Sequence, residues 1–284
     1  MKRLAIRVAI AAAVVLVLAA VLLVVFRTRI TNAMLFYPER GQSRTPEDLG
    51  MPYDEVWVEA SDGVRTQGWW IPGQDAAPVV IMFHGNAGTI ADRLENAQRL
   101  RELGVSIYMA EYRGYGESEG KPSEAGLYAD SRAVLAEARR RSAGQAVVIF
   151  GRSLGGAVAI DLASHERVEG LVAESTFTSL PAMASTTGIP FAARLVAYDF
   201  LSIDKIQSVT APVLVIHGDA DELIPLTMGK SLHAAAAKAP RADFHRVAGG
   251  THNDTWHVGG TGYWDAWRRF LDRVQPAPDS TGLP

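Results

Sequence analysis

The sequence predicts an α/β fold: a mostly parallel sheet with helices on both faces and a short cap insertion, behind one N-terminal transmembrane helix. Three observations carry that prediction. A run of about 19 residues, Val8 to Phe26, holds no charge, no Pro and no Gly, which suits a helix across ~30 Å of hydrocarbon. From Val79 onward, short apolar runs alternate with stretches of helical spacing, the pattern of parallel strands buried on both sides. One of those runs leads directly into Gly151-Arg152-Ser153-Leu154-Gly155, a strand–turn–helix junction with a serine at its apex.

Residues 1–29 read as a membrane anchor. A cleaved secretory signal has a shorter apolar core, about 7–15 residues, followed by small residues at the cleavage site. Here the run is longer and closes in Leu22-Leu23-Val24-Val25-Phe26-Arg27. A buried core helix would keep a polar face, and this run is apolar all round. Lys2, Arg3 and Arg7 precede it, and Arg27 and Arg29 follow. That slight positive-inside bias puts the N-terminus in the cytoplasm and the body of the protein on the non-cytoplasmic side.

The remaining chain divides into a polar connector at 30–52, an α/β domain at 53–275 and a disordered tail at 276–284. The domain is long enough for one well-buried core. The net charge of −3 and the lack of any basic run beyond the membrane flanks leave nucleic-acid binding without an electrostatic footprint. With no cysteine in the chain, disulfide staples and thiol chemistry are excluded. No H-E-x-x-H or comparable spacing points to a metal.

The elements follow in order. Glu55 to Ala60 alternates, Ser61-Asp62-Gly63 is a turn, and Thr66 to Ile71 pairs back as a hairpin. Strands are expected at Val79–Phe83, Ser106–Ala110, Val147–Phe150, Leu171–Ala173, Val213–Ile216 and Phe244–Val247. Helices are expected over 90–103, 123–141, 155–164, 227–238 and 263–274. The interval 176–208 is long for a strand-to-helix step and carries Pro181, Gly188 and Pro190. Intervals of that length usually do something, and this one reads as a short lid over a substrate pocket.

The chemistry centres on Ser153. The sharp turn of a nucleophile elbow brings the residues two before and two after the serine together, so Gly151 and Gly155 avoid a side-chain clash and Gly156 lets the helix pack closely. A serine hydroxyl needs a base. Of the seven histidines, only His245, His252 and His257 come late enough in the chain. His245 lies inside the last strand, whereas His252 sits in the glycine-rich loop that follows, with His257 in reserve. An acid should orient that imidazole. Asp221 stands far enough past its strand to reach the His252 loop, while Asp219 suits a turn-capping role and Glu174 is an outlying alternative. Two backbone N–H groups should hold an oxyanion: Leu154, next to the serine, and Asn86, in the loop His84-Gly85-Asn86-Ala87-Gly88. His84 precedes Ser153 and suits bracing that loop. The glycine-dense stretch Glu111 to Ser118 lacks the Gly-Lys-Ser/Thr ending of a phosphate loop and reads as a pocket edge.

His84-Gly85-Asn86-Ala87-Gly88, Tyr112-Arg113-Gly114-Tyr115-Gly116, Gly151-Arg152-Ser153-Leu154-Gly155-Gly156, His217-Gly218-Asp219-Ala220-Asp221 and Thr251-His252-Asn253-Asp254 together resemble the α/β-hydrolase superfamily. More narrowly they resemble the membrane-anchored group typified by alpha/beta hydrolase domain-containing protein 13 and its bacterial relatives. The likeness spans about Val56 to Val274. It implies the α/β-hydrolase fold, with Ser153 as nucleophile, Asp221 as acid, His252 as base, and no metal or organic cofactor. The expected activity is serine hydrolysis of carboxylic esters or thioesters, with acyl lipids as partners suggested by the anchor. A peptidase or amidase on the same triad, or a membrane-bound scaffold that keeps the fold without turnover, are the alternatives. Related depalmitoylating hydrolases carry an N-terminal cysteine cluster, and this chain has a hydrophobic span in its place.

Overall fold

The computed structural model describes residues 2–274. The tail assigned to 276–284 lies outside the described residues, as do the side chains of Val8, Ala9, Ala19, Ala20, Leu23 and Val24 within the apolar run. Helix α1 spans Lys2–Leu35, 34 residues, about 51 Å at 1.5 Å per residue. It leaves Val14, Leu18, Leu22 and Val25 exposed. Among the described residues no helix is long and apolar enough to cross a membrane.

The helix runs past Arg29 into the segment expected to be a connector. No Pro or Gly interrupts Thr28 to Leu35, and the last turn gains a tertiary dock. Leu35, Phe36 and Thr31 are buried, the Thr31 hydroxyl accepts the Ala197 N–H at 2.9 Å, and the rings of Phe36 and Tyr198 lie 5.9 Å apart. Burial of this kind overrides the weak local preference of a polar segment. Strand β1 (Tyr37–Pro38) follows at once.

The hairpin β2 (Asp54–Glu59) and β3 (Arg65–Ile71) pairs antiparallel, Val56 facing Gly68. Next come β4 (Val79–Phe83), β5 (Ala87–Gly88), α2 (Leu94–Arg101), β6 (Ser106–Ala110) and α3 (Glu124–Ser142). Then follow β7 (Val147–Arg152), α4 (Leu154–His165), β8 (Gly170–Glu174), β9 (Val213–Gly218), α8 (Leu226–Ala235) and β10 (Ala242–Val247). The 176–208 interval between β8 and β9 holds three short helices, α5 (Leu180–Ser185), α6 (Ala192–Leu195) and α7 (Ser202–Lys205). The chain closes with α9 (Thr255–Val258) and α10 (Gly260–Leu271).

Eight strands form one sheet in the order β10-β9-β8-β7-β4-β6-β3-β2. Only the β2–β3 and β3–β6 pairs are antiparallel. The central strands are buried on both faces, and their alternation splits them between two cores. Val79, Ile81 and Phe83 of β4 join one cluster with Leu127, Val134 and Leu162, whereas Val80 and Met82 join Leu94, Trp267 and Phe270 in the other. On α10 the buried residues Tyr263, Ala266, Trp267 and Phe270 fall at the helical i, i+3, i+4, i+7 spacing. From β4 the chain steps to β6 on one side and β7 on the other. The crevice beyond the carboxyl ends of β4 and β7 is therefore the switch point at which such sheets bind ligands.

Candidate active site

Ser153 sits at that switch point. It caps α4 with φ 54° and ψ −119°, a left-handed conformation that costs a non-glycine residue about 1–3 kcal/mol and is held only where the surroundings impose it. The glycines around it explain how. A Cβ on Gly151 would stand 2.0 Å from the Gly155 carbonyl oxygen, and one on Gly155 would stand 2.2 Å from that of Phe83. One on Gly156 would meet Thr176 Cβ at 2.5 Å. The Ser153 N–H donates to the Glu174 carbonyl at 2.9 Å, and the Thr176 hydroxyl donates to the Ser153 carbonyl at 2.7 Å. The turn is thereby tied to β8, with the hydroxyl at the positive end of a 12-residue helix.

His252 and Asp221 meet this serine from two further loops. His252 Nε2 lies 3.0 Å from Ser153 Oγ, and Nδ1 lies 2.9 Å from Asp221 Oδ2 and 3.1 Å from Oδ1. The imidazole is buried, its residue 5% exposed. Asp221 Oδ1 accepts the Leu223 and Ile224 N–H groups at 3.0 and 2.8 Å, and His217 Nε2 approaches Oδ2 at 3.4 Å. Burial pushes the Asp221 carboxyl up, but the contacts from His217 and His252, with the Ile224 N–H, outweigh it and hold the group well below the ordinary carboxylate range. Asp221 is thus a fixed anion at neutral pH.

The competing candidates lie elsewhere. Asp219 accepts the Gly249 N–H at 2.7 Å and pairs with Arg246 at 3.2 Å. Glu174 is buried and takes hydrogen bonds from the hydroxyls of Thr255 and Tyr263. His257 is exposed on α9, and His245 lies within β10.

The loop after β4 passes over the serine: a Cβ on Gly85 would lie 3.6 Å from Ser153 Cβ. The Asn86 carbonyl accepts the Tyr37 N–H at 2.9 Å and the Tyr115 hydroxyl at 2.8 Å. The Asn86 side-chain amide donates to the Leu35 carbonyl at 2.8 Å. With those groups engaged, the Asn86 N–H has no acceptor among the described residues, and neither has the Leu154 N–H. His84 Nε2 lies 2.8 Å from Glu111 Oε1, and the Tyr112 hydroxyl donates to the His84 carbonyl at 2.8 Å. Among the described residues no cluster of three or more His, Cys, Asp or Glu side chains is placed to hold a metal ion.

Sequence reasoning passed over several supporting residues. Arg152 turns its guanidinium to the His252 carbonyl and to Asn253 Oδ1, tying the elbow to the His252 loop. Glu222 accepts the His252 N–H at 3.2 Å. Glu111 accepts the Ile90 and Tyr112 N–H groups at 3.0 and 3.2 Å. The available signal was a charge at the end of a buried strand, which must find a partner.

A strained serine between a buried strand and a helix, at the switch point of a mostly parallel sheet, defines the α/β-hydrolase class of fold. The family model described as serine aminopeptidase, S33, matches residues 74–203. Alpha/beta hydrolase domain-containing protein WAV2 of Arabidopsis thaliana is 36% identical over 254 residues, covering 82% of this chain and 82% of that protein. Uncharacterized membrane protein YNL320W of Saccharomyces cerevisiae is 31% identical over 252 residues, 84% of this chain and 87% of the relative. An esterase of Pyrococcus furiosus superposes with a TM-score of 0.72 at 21% identity, over 84% of this chain and 98% of its own; this likeness speaks to the fold. The chain belongs to the alpha/beta hydrolase family.

Proposed function

We propose that this hydrolase cleaves carboxylic esters or thioesters, acyl lipids among them, through an acyl-enzyme on Ser153. The observation that carries the reading is the continuous line from Ser153 Oγ through the His252 ring to Asp221, with contacts of 3.0 and 2.9 Å. In the first half-reaction Ser153 Oγ bonds to the carbonyl carbon and its proton passes to His252 Nε2. The carbonyl electrons move onto oxygen, which the Asn86 and Leu154 N–H groups receive. Collapse breaks the bond to the leaving group, which takes the proton from His252. Water, deprotonated by the same ring, then attacks the acyl-enzyme and returns Ser153. Asp221 holds the Nδ1–H tautomer and stabilises the imidazolium.

The apolar run Val8–Phe26, the exposed apolar side chains of α1 and the likeness to a yeast membrane protein support a single-pass anchor. The domain then lies on the non-cytoplasmic side, with 176–208 as its lid. The match to a serine aminopeptidase model favours amide cleavage as the second reading; a scaffold without turnover is the third. Full-length wild type and Ser153→Ala should be compared with a fluorophosphonate probe, p-nitrophenyl acetate and an aminoacyl anilide. Labelling and ester turnover, both lost in the variant by about 10⁶-fold in kcat, support the proposal. Anilide turnover exceeding ester turnover would favour the peptidase, and a folded wild type inert to probe and substrates would leave the scaffold.

A further inference from the structure

The last turns of α1 and the short helices α5 and α6 enclose a cavity of about 260 Å³. Met34 and Leu35 supply one wall, and Leu180, Met183, Leu195 and Val196 the other. Thr31 and Thr187 are the two polar residues in an otherwise apolar lining. The rim is apolar as well: Met34 is 64% exposed and Ile189 53%. A groove of this composition binds hydrocarbon better than water.

Both walls are rooted in the catalytic residues. Leu35 gives its carbonyl to the Asn86 side chain at 2.8 Å, and Tyr37, two residues on, donates to the Asn86 carbonyl at 2.9 Å. On the other side Thr176 donates to the Ser153 carbonyl at 2.7 Å, four residues before Leu180. The two walls are thus tied, through short stretches of chain, to the Asn86 loop and to the Ser153 turn, and the first wall is the helix whose earlier turns expose Leu and Val.

We infer that this groove holds the acyl chain of the substrate, an ester or thioester drawn from the bilayer in which α1 sits. The carbonyl is delivered to Asn86 and Ser153, and the chain lies between the end of α1 and the cap. The inference rests on the hydrolase reading and deepens it. The anchor then has two roles, tethering the enzyme and forming half of its acyl site.

The test uses full-length protein in nanodiscs, with kcat/KM measured for p-nitrophenyl acetate and p-nitrophenyl octanoate. Each methylene brought out of water is worth about fourfold at full burial, so wild type should favour octanoate by about a hundredfold or more. Ala184→Trp fills the groove from the cap and Met34→Trp from α1; the exposure of Met34 makes that substitution tolerable to folding. Each should lower the octanoate-to-acetate ratio by tenfold or more. Partitioning of octanoate into the bilayer is common to all three proteins and cancels in the comparison. A ratio that stays at the wild-type value in both variants, or two rates that fall together, overturns the acyl site while Ser153 labelling keeps the hydrolase reading. A wild type with neither labelling nor acetate turnover removes both.

Discussion

Two of the buried histidine–carboxylate pairs near the carboxyl ends of the strands, His252–Asp221 and His84–Glu111, stand in contrast, and only the first faces a nucleophile. His252 lies 2.9 Å from Asp221 and His84 lies 2.8 Å from Glu111. They differ in the opposite ring nitrogen. That of His252 is 3.0 Å from Ser153 Oγ. His84 Nδ1 is buried with no hydrogen-bond partner among the described residues, its ring 4.4 Å from Tyr112 and 5.6 Å from Tyr115. The pairing of imidazole with carboxylate does not by itself make a base. A base needs its second nitrogen aimed at an ionisable proton, whereas an imidazole enclosed by aromatic rings serves as a rigid post for the loop that carries Asn86.

Neutralising each carboxylate in turn should separate these roles. Asp221→Asn keeps the shape but removes the charge and the preference for the Nδ1–H tautomer, so kcat should fall by about 10⁴-fold. Steady-state ester turnover of the folded variant measures it. A loss below tenfold would mean that Asp221 only braces the Leu223–Ile224 turn and that the two pairs are alike.

Glu111→Gln should cost stability while sparing most of the turnover. The carboxylate accepts two backbone N–H groups as well as His84 and Gln42, and an amide cannot accept from all of them. The unpaired donors should cost about 2–3 kcal/mol of stability, or roughly 5–10 °C in thermal midpoint for a domain of this size. kcat should fall by tenfold or less, through a loosened Asn86 loop. A variant of wild-type stability with a collapse of kcat matching that of Asp221→Asn would place Glu111 in the chemistry and break the distinction.

The two pairs were unequally legible in the sequence. Ser153 is visible because everything that makes its turn, Gly151 to Gly156 and the apolar run before it, is local. His252 and Asp221 follow from chain order and from loops that trail predicted strands, and the structure brings their side chains to hydrogen-bonding distance of each other and of Ser153. Glu111 reads in the sequence only as part of a pocket-edge loop, because its partners His84 and Ile90 lie 27 and 21 residues away and a contact at that range leaves no periodic trace. The same holds for the docking of α1: its bond from Asn86 to Leu35 spans 51 residues, so residues 30–35 read as connector. The two-core sheet was legible for the opposite reason, since burial on both faces writes itself into each strand as an unbroken apolar run.

The smallest expected effect concerns acid stability. The Asp221 carboxyl is held below its ordinary range by the contacts that overcome its burial. A carboxylate depressed in the folded state contributes stability that is fully present above its unfolded pKa, about 3.9. That contribution fades as pH falls through the lower folded value. Urea midpoints of wild type should therefore drop more steeply than those of Asp221→Asn between about pH 5 and pH 2.5. The depressed carboxylates Asp62, Glu95, Glu137 and Asp243 are present in both proteins and cancel in the difference. Parallel acid limbs would mean that His217 and His252 do not favour the charged carboxylate. The His252–Asp221 pair would then lose its electrostatic distinction, leaving only the geometry of the second nitrogen to separate it from His84–Glu111.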